Sequence, residues 1–171
     1  FGMSVLTARI ATTRDGLALD SFRLSHADGP ELAMDDERWA RLVAFLQQVL
    51  AGEADLAARL RKIREGGLLR RKRPRRAITT IVADSNSSEE NLLLDVYAPD
   101  RVGLLHRVAE ALHDLNLKVH LAKIATNVGQ AVDIFFVREL DGRKPTREKE
   151  IRAALMDSLE SFEAEYQDLA S

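Results

Sequence analysis

Hydrophobic residues recur at helical spacing in four stretches of this chain and crowd into β-branched, strand-like runs between them. Trp39, Leu42, Val43, Leu46, Val49 and Leu50 mark one face of a helix over Asp36 to Ala51, with acidic residues at its start and Gly52 at its end. Leu56, Leu60 and Ile63 continue helically from Glu53 to Glu65, where Gly66-Gly67 stops them. Leu104, Leu105, Val108, Leu112 and Leu115 predict a third helix from Val102 to Leu115, closed by Asn116. Ile151, Leu155, Leu159, Phe162 and Tyr166 predict a fourth, from near Thr146 to the end. Strands are expected at Met3 to Thr12, around Asp20 to Phe22, at Ala77 to Ala83, at Asn91 to Ala98, at Leu117 to Thr126 and around Val132 to Val137.

These elements repeat. Met3 to Thr12 lies over Leu117 to Thr126 with Val, Ala, Ile, Ala and Thr in common at an offset of 114. Past a turn with one extra residue in the first copy, Asp20-Ser21-Phe22 lies over Asp133-Ile134-Phe135, and Asp28-Gly29 over Asp141-Gly142, at an offset of 113. The indel falls in a hairpin tip, at Arg14-Asp15-Gly16 against Asn127-Val128-Gly129, where duplicated strand pairs tolerate it. Each copy reads strand, turn, strand, turn, helix, and each helix should bury one face against a sheet.

The second unit is then strand, helix, strand, strand, helix. That is a ferredoxin-like βαββαβ order short of its last strand, an α+β sandwich. The first unit, residues 1–67, holds strands 2 and 3, helix 2 and an extra helix, and lacks the equivalent of Asn91 to Leu115, about 25 residues. Residues 68–76 form a linker in which Arg70 to Arg76 holds six basic residues in seven. Residues 77–84 are the candidate strand 4 of the first unit, and 91–171 the second unit. The opening on Phe1, directly followed by strand sequence, suggests a fragment. A sheet missing a strand and a helix exposes apolar surface, so pairing is expected. The favoured form sets Met3 to Thr12 beside Leu117 to Thr126, within one chain or across a two-fold axis, in a homodimer.

Composition excludes several classes. With 46% hydrophobic and 30% charged residues over 171 positions the chain is globular, not disordered. A net charge of -2 argues against a basic nucleic-acid binder, and the absence of cysteine excludes disulfides, thiolate catalysis and sulfur-ligated zinc. It is also compatible with a reducing cytoplasm. No apolar run reaches the roughly 18 residues of a membrane span, so a soluble, cytoplasmic chain without membrane contact is expected. No nucleophile elbow, P-loop, His-Glu-x-x-His or dinucleotide fingerprint occurs, and no catalytic residue is assigned. His106 and His113 sit seven apart on one helix, two turns and about 10 Å, too far to share one metal ion. The basic run has no interleaved aromatics for base stacking and reads as a solvated linker, with RNA or acidic-protein docking the alternative.

Ala98-Pro99-Asp100-Arg101-Val102-Gly103-Leu104-Leu105, with Lys123-Ile124-Ala125-Thr126 and Val132-Asp133-Ile134-Phe135-Phe136-Val137, resembles the ACT domain family of small-molecule sensors. Two such units joined by a long helix and a basic, Pro-containing linker resemble the C-terminal region of the bifunctional uridylyltransferases that modify the nitrogen-signalling protein PII. The resemblance implies a regulatory, glutamine-sensing module without catalytic residues or cofactor. It places the Mg2+-dependent transferase and hydrolase chemistry elsewhere and makes PII a partner through the parent enzyme. It implies a ligand site at Asp100, Arg101, Val102, Gly103 and Leu104, where free amides of a first helical turn meet a carboxylate. Asp100 would cap the helix or bind the ammonium group, and Arg101 would reach the solvent rim. Thr126 and Thr12 would line the interface between units. The plainer alternatives are an ordinary capped turn, threonines that suit strands, and Asp20 and Asp133 facing solvent opposite Arg9 or Lys123. A tandem module for dimerisation or interdomain packing, without ligand, is the alternative function.

Overall fold

The structure, a computed structural model, describes residues 3–13, 15–26, 36–65, 78–127 and 129–168. The basic run Arg70 to Arg76, the Asp28-Gly29 turn and the Gly66-Gly67 stop lie outside the described residues. The described elements run β1 (Met3–Thr12), β2 (Ala18–His26), α1 (Asp36–Leu50), α2 (Leu56–Glu65), β3 (Thr80–Asp84), β4 (Leu92–Pro99), α3 (Leu104–Asp114), β5 (Leu117–Asn127), β6 (Gln130–Glu139) and α4 (Glu148–Asp168). They follow the helix and strand periods read from the sequence, and the α+β, tandem ferredoxin-like class holds.

The six strands among the described residues join in one sheet of order β2-β1-β5-β6-β4-β3. Antiparallel pairing of β1 with β5 runs from Thr7 opposite Ala125 to Ala11 opposite Leu121. The two copies of the repeat therefore meet within one chain through their most similar strands. β3 departs from the expectation that residues 77–84 complete the first unit. It pairs with β4, Thr80 opposite Tyr97 and Asp84 opposite Leu93, and takes the edge where the second unit would otherwise lack a fourth strand. The reason is local. A short connection favours hairpin pairing, and Asp84 tightens this one by accepting hydrogen bonds from the amides of Asn86 (2.7 Å) and Ser87 (3.2 Å). Lys144 clasps the same turn from outside, donating to the carbonyls of Ser85 and Ser88.

The core belongs to the second unit. Alternation along β4 buries Leu92, Leu94, Val96 and Ala98, and along β6 it buries Ala131, Asp133, Phe135 and Val137. Leu104, Val108, Ala111 and Leu112 of α3 and Ile151, Leu155, Leu159 and Phe162 of α4 close over that face. Fully burying one such side chain stabilises by about 1.5–3 kcal/mol.

α1 and α2 form a separate compact unit with Met3–Ser4 and the end of β2. The carboxylate of Asp55 caps α2 by accepting from the Ala58 amide at 2.9 Å, and the Arg59 guanidinium lies 4.2 Å from the Phe45 ring centre. The expectation that a helical face is buried holds for α4, while α1 half-buries Leu42, Val43 and Val49 of its expected face. No α1 residue is buried, and Trp39, Leu46 and Leu50 stand exposed.

Candidate functional site

The site is built where β4 turns into α3. β4 lies antiparallel to β6 with Ala98 opposite Ala131 and Pro99 opposite Gln130. Beyond it the Asp100 amide donates to the Gly129 carbonyl (2.9 Å), tying the loop to the β5–β6 turn. β5 reaches that turn through Thr126, opposite Ala131. Asp100, Thr126 and Gly129 thus collect at one end of the sheet.

Gly103 begins α3 at φ +91°, a left-handed conformation that L side chains resist, and no side chain caps the helix. Asp100 is therefore not the cap. Among the amides of the turn, Leu104 donates to the Arg101 carbonyl at 3.1 Å, and the Gly103 carbonyl accepts from Arg107 at 2.9 Å. The remaining first-turn amides are those a helix leaves without intrahelical acceptors.

Arg101 does not reach a solvent rim. Its Nε and Nη2 each lie 3.2 Å from a carboxylate oxygen of Glu163, both side chains are largely buried, and the guanidinium lies 5.3 Å from the Tyr166 ring centre. Tyr166 in turn donates its hydroxyl to the Val102 carbonyl (2.8 Å), and Arg107 donates to Glu165 at 2.8 Å. The last turns of α4 hold the loop by both charge and hydrogen bond. Leu104 is 4% exposed and belongs to the core, so it anchors the turn from below.

The two threonines separate. In the antiparallel register the partner of Ala11 is Leu121 and that of Thr7 is Ala125, so Thr12 falls six residues along β5 from Thr126. At about 3.3 Å per residue, that is roughly 20 Å. Thr126 joins Asp100; Thr12 lies at the far end of the strand pair. The side-by-side pairing is as expected, but its antiparallel sense undoes the expected convergence.

Asp133 is the residue that sequence reasoning missed. Read as solvent-facing, it is 2% exposed on the helix-covered face of β6, opposite Val96, whereas its repeat twin Asp20 is exposed. One carboxylate oxygen accepts from the Ala125 amide at 3.2 Å, next to Thr126. Burial raises its pKa to about 6; the Ala125 hydrogen bond opposes the rise, and the nearby Asp100 charge adds to it. Burial also raises Asp100, against the pull of Arg101. The signal was available in the pattern: Asp133 falls in phase with Ala131, Phe135 and Val137. Lys123, its imagined partner, lies 5.8 Å from the ring centre of Phe136, which is out of that phase.

Among the described residues no group of three metal-ligating side chains occurs, and His106 faces Glu110 at 3.2 Å. No helix among them is long and apolar enough to cross a membrane.

The family description "Plant bHLH transcription factor, ACT-like domain" matches residues 85–160. The chain is 34% identical over 163 residues to a bifunctional uridylyltransferase/uridylyl-removing enzyme of Gluconobacter oxydans, covering 94% of this chain and 17% of that enzyme. It is 32% identical over 168 residues to the enzyme of that name from Azospirillum brasilense (92% and 17%) and 34% identical over 169 residues to that from Phenylobacterium zucineum (96% and 18%). The chain thus spans about one-sixth of the length of the curated relatives it matches. No solved structure matches it. The second unit thus matches an ACT-like domain model, and the chain is similar along nearly its whole length to a part of enzymes named bifunctional uridylyltransferase/uridylyl-removing enzyme.

Proposed function

We propose that this chain is the regulatory part of such an enzyme and senses an amino acid, glutamine, at the β4–α3 turn. The observation that carries the reading is the uncapped α3 start at left-handed Gly103, beside Asp100 and Thr126, in a chain homologous to these enzymes. Free amides of a first helical turn suit a carboxylate, and glycine lets it approach the backbone. Asp100, Val102, Gly103 and Thr126 line the site; Arg101 and Leu104 hold it in place from α4 and the core.

Binding there shifts the parent between adding and removing uridylyl groups on PII in the cytoplasm, provided glutamine has different affinities for the two states. The chain contributes no catalytic residue or cofactor to that chemistry, which Mg2+ supports in the catalytic part. Calorimetric titration with a panel of amino acids tests the reading. Selective binding of glutamine is the expected result; no binding by any amino acid overturns it.

A second reading, a packing and dimerisation module, draws on β2, the edge strand among the described residues, where Leu19 and Phe22, with Leu17 just before it, stand exposed. Sedimentation at micromolar concentration tests it, with a homodimer expected and a monomer at every concentration against it.

A further inference from the structure

A carboxylate in a protein interior is costly unless a cation or several hydrogen bonds compensate it. Asp133 is 2% exposed, and the one hydrogen bond it receives among the described residues is from the Ala125 amide at 3.2 Å. No described cation pairs with it. The neighbouring cation, Arg101, is committed to Glu163. Asp100 adds a second negative charge close by. The fold thus holds an uncompensated anionic group next to the Thr126 strand end and the strand that runs into α3. Its repeat twin Asp20 is exposed, so the feature belongs to the second unit alone.

We propose that Asp133 is the ammonium-recognising residue of the amino-acid site, so that the effector is taken up as a zwitterion, carboxylate to the α3 amides and ammonium to Asp133. The role rests on the sensing reading above and adds a specificity rule: ligands lacking the α-amino group are discriminated against through this one side chain. Asp100, more exposed, sets the negative potential at the entrance.

The test is calorimetry on the 171-residue chain and its Asp133→Asn and Asp20→Asn variants, with L-glutamine and its des-amino analogue glutaramate as probes. A hydrogen bond to a charged group supports a change of about 30-fold. Wild type and Asp20→Asn should prefer glutamine over glutaramate by about that factor. Asp133→Asn, nearly isosteric and still able to accept from the Ala125 amide, should lose the preference, because glutamine affinity falls while glutaramate affinity does not. Retention of the preference in Asp133→Asn overturns the ammonium role and leaves the sensing reading intact. Failure of wild type to bind glutamine overturns both.

Discussion

Asp133 shows what a single buried charge does to the energetics of this fold. Its carboxyl titrates at about 6 against an ordinary 3.8 because burial disfavours the anion. The folded state therefore holds the proton more tightly than the unfolded one. Above about pH 6 the group costs stability, and that cost is relieved as pH falls from about 6 toward 3.8. Asp133→Asn should stabilise the chain by roughly 2 kcal/mol at pH 7.5 and far less near pH 4.5. Denaturant unfolding of both proteins at the two pH values checks this, and equal stability at pH 7.5 would contradict it. Gly103 makes the opposite case. At φ +91° a side chain is strained, so Gly103→Val should lose about 1–2 kcal/mol or more, and Gly103→Asn less, because Asn tolerates left-handed backbone. Thermal melts of the pair measure it, and a Val variant as stable as the Asn variant would refute the strain.

At the scale of elements, α4 does two jobs along its length. Ile151, Leu155 and Leu159 seat it in the core, while Glu163, Glu165 and Tyr166 reach over to the loop before α3 and to α3 itself. Leu155→Ala should cost about 3 kcal/mol of global stability, the usual penalty for an emptied aliphatic site. Tyr166→Phe removes only the bond to the Val102 carbonyl and should cost about 1 kcal/mol. Its clearer signature is faster amide exchange in the Asp100 to Leu105 loop with the core exchange rates unchanged. Exchange that stays the same in the loop would show that α4 does not hold it. The sequence displays the first job through its i, i+4 spacing, but it does not display the second. Glu163 and Arg101 stand 62 residues apart, and no local pattern pairs them.

Across the whole molecule, the duplicated strands β2 and β6 share an Asp and a Phe at matched positions, Asp20 with Asp133 and Phe22 with Phe135, but not a fate. Phe135 is 3% exposed under the helices, and its counterpart Phe22 is 49% exposed on the edge strand. Phe135→Ala should cost about 3–5 kcal/mol, whereas Phe22→Ala should cost well under 1. If the exposed edge mediates self-association, Phe22→Asp should lower it in sedimentation runs at micromolar concentration while leaving the melting temperature nearly unchanged. A full loss of folding in the Phe22 variants would show that this strand is covered after all.

By itself the sequence determined the elements, because a helix or strand is a matter of period and end signals within ten to twenty residues. It determined the duplication, and with it the pairing of Met3 to Thr12 with Leu117 to Thr126, because similar strands with open edges suit one another. It also located the turn at Asp100 to Leu105 through a glycine at the mouth of a helix. What only the tertiary structure decided were matters of direction and distance. Antiparallel register carried Thr12 away from Thr126, and a short hairpin handed β3 to the second unit. A long-range ion pair turned Arg101 inward, and the helices above β6 shut Asp133 away from water while its twin Asp20 stayed in it. Burial and charge pairing are set by what arrives from elsewhere in the chain, so two copies of one segment take on different chemistry.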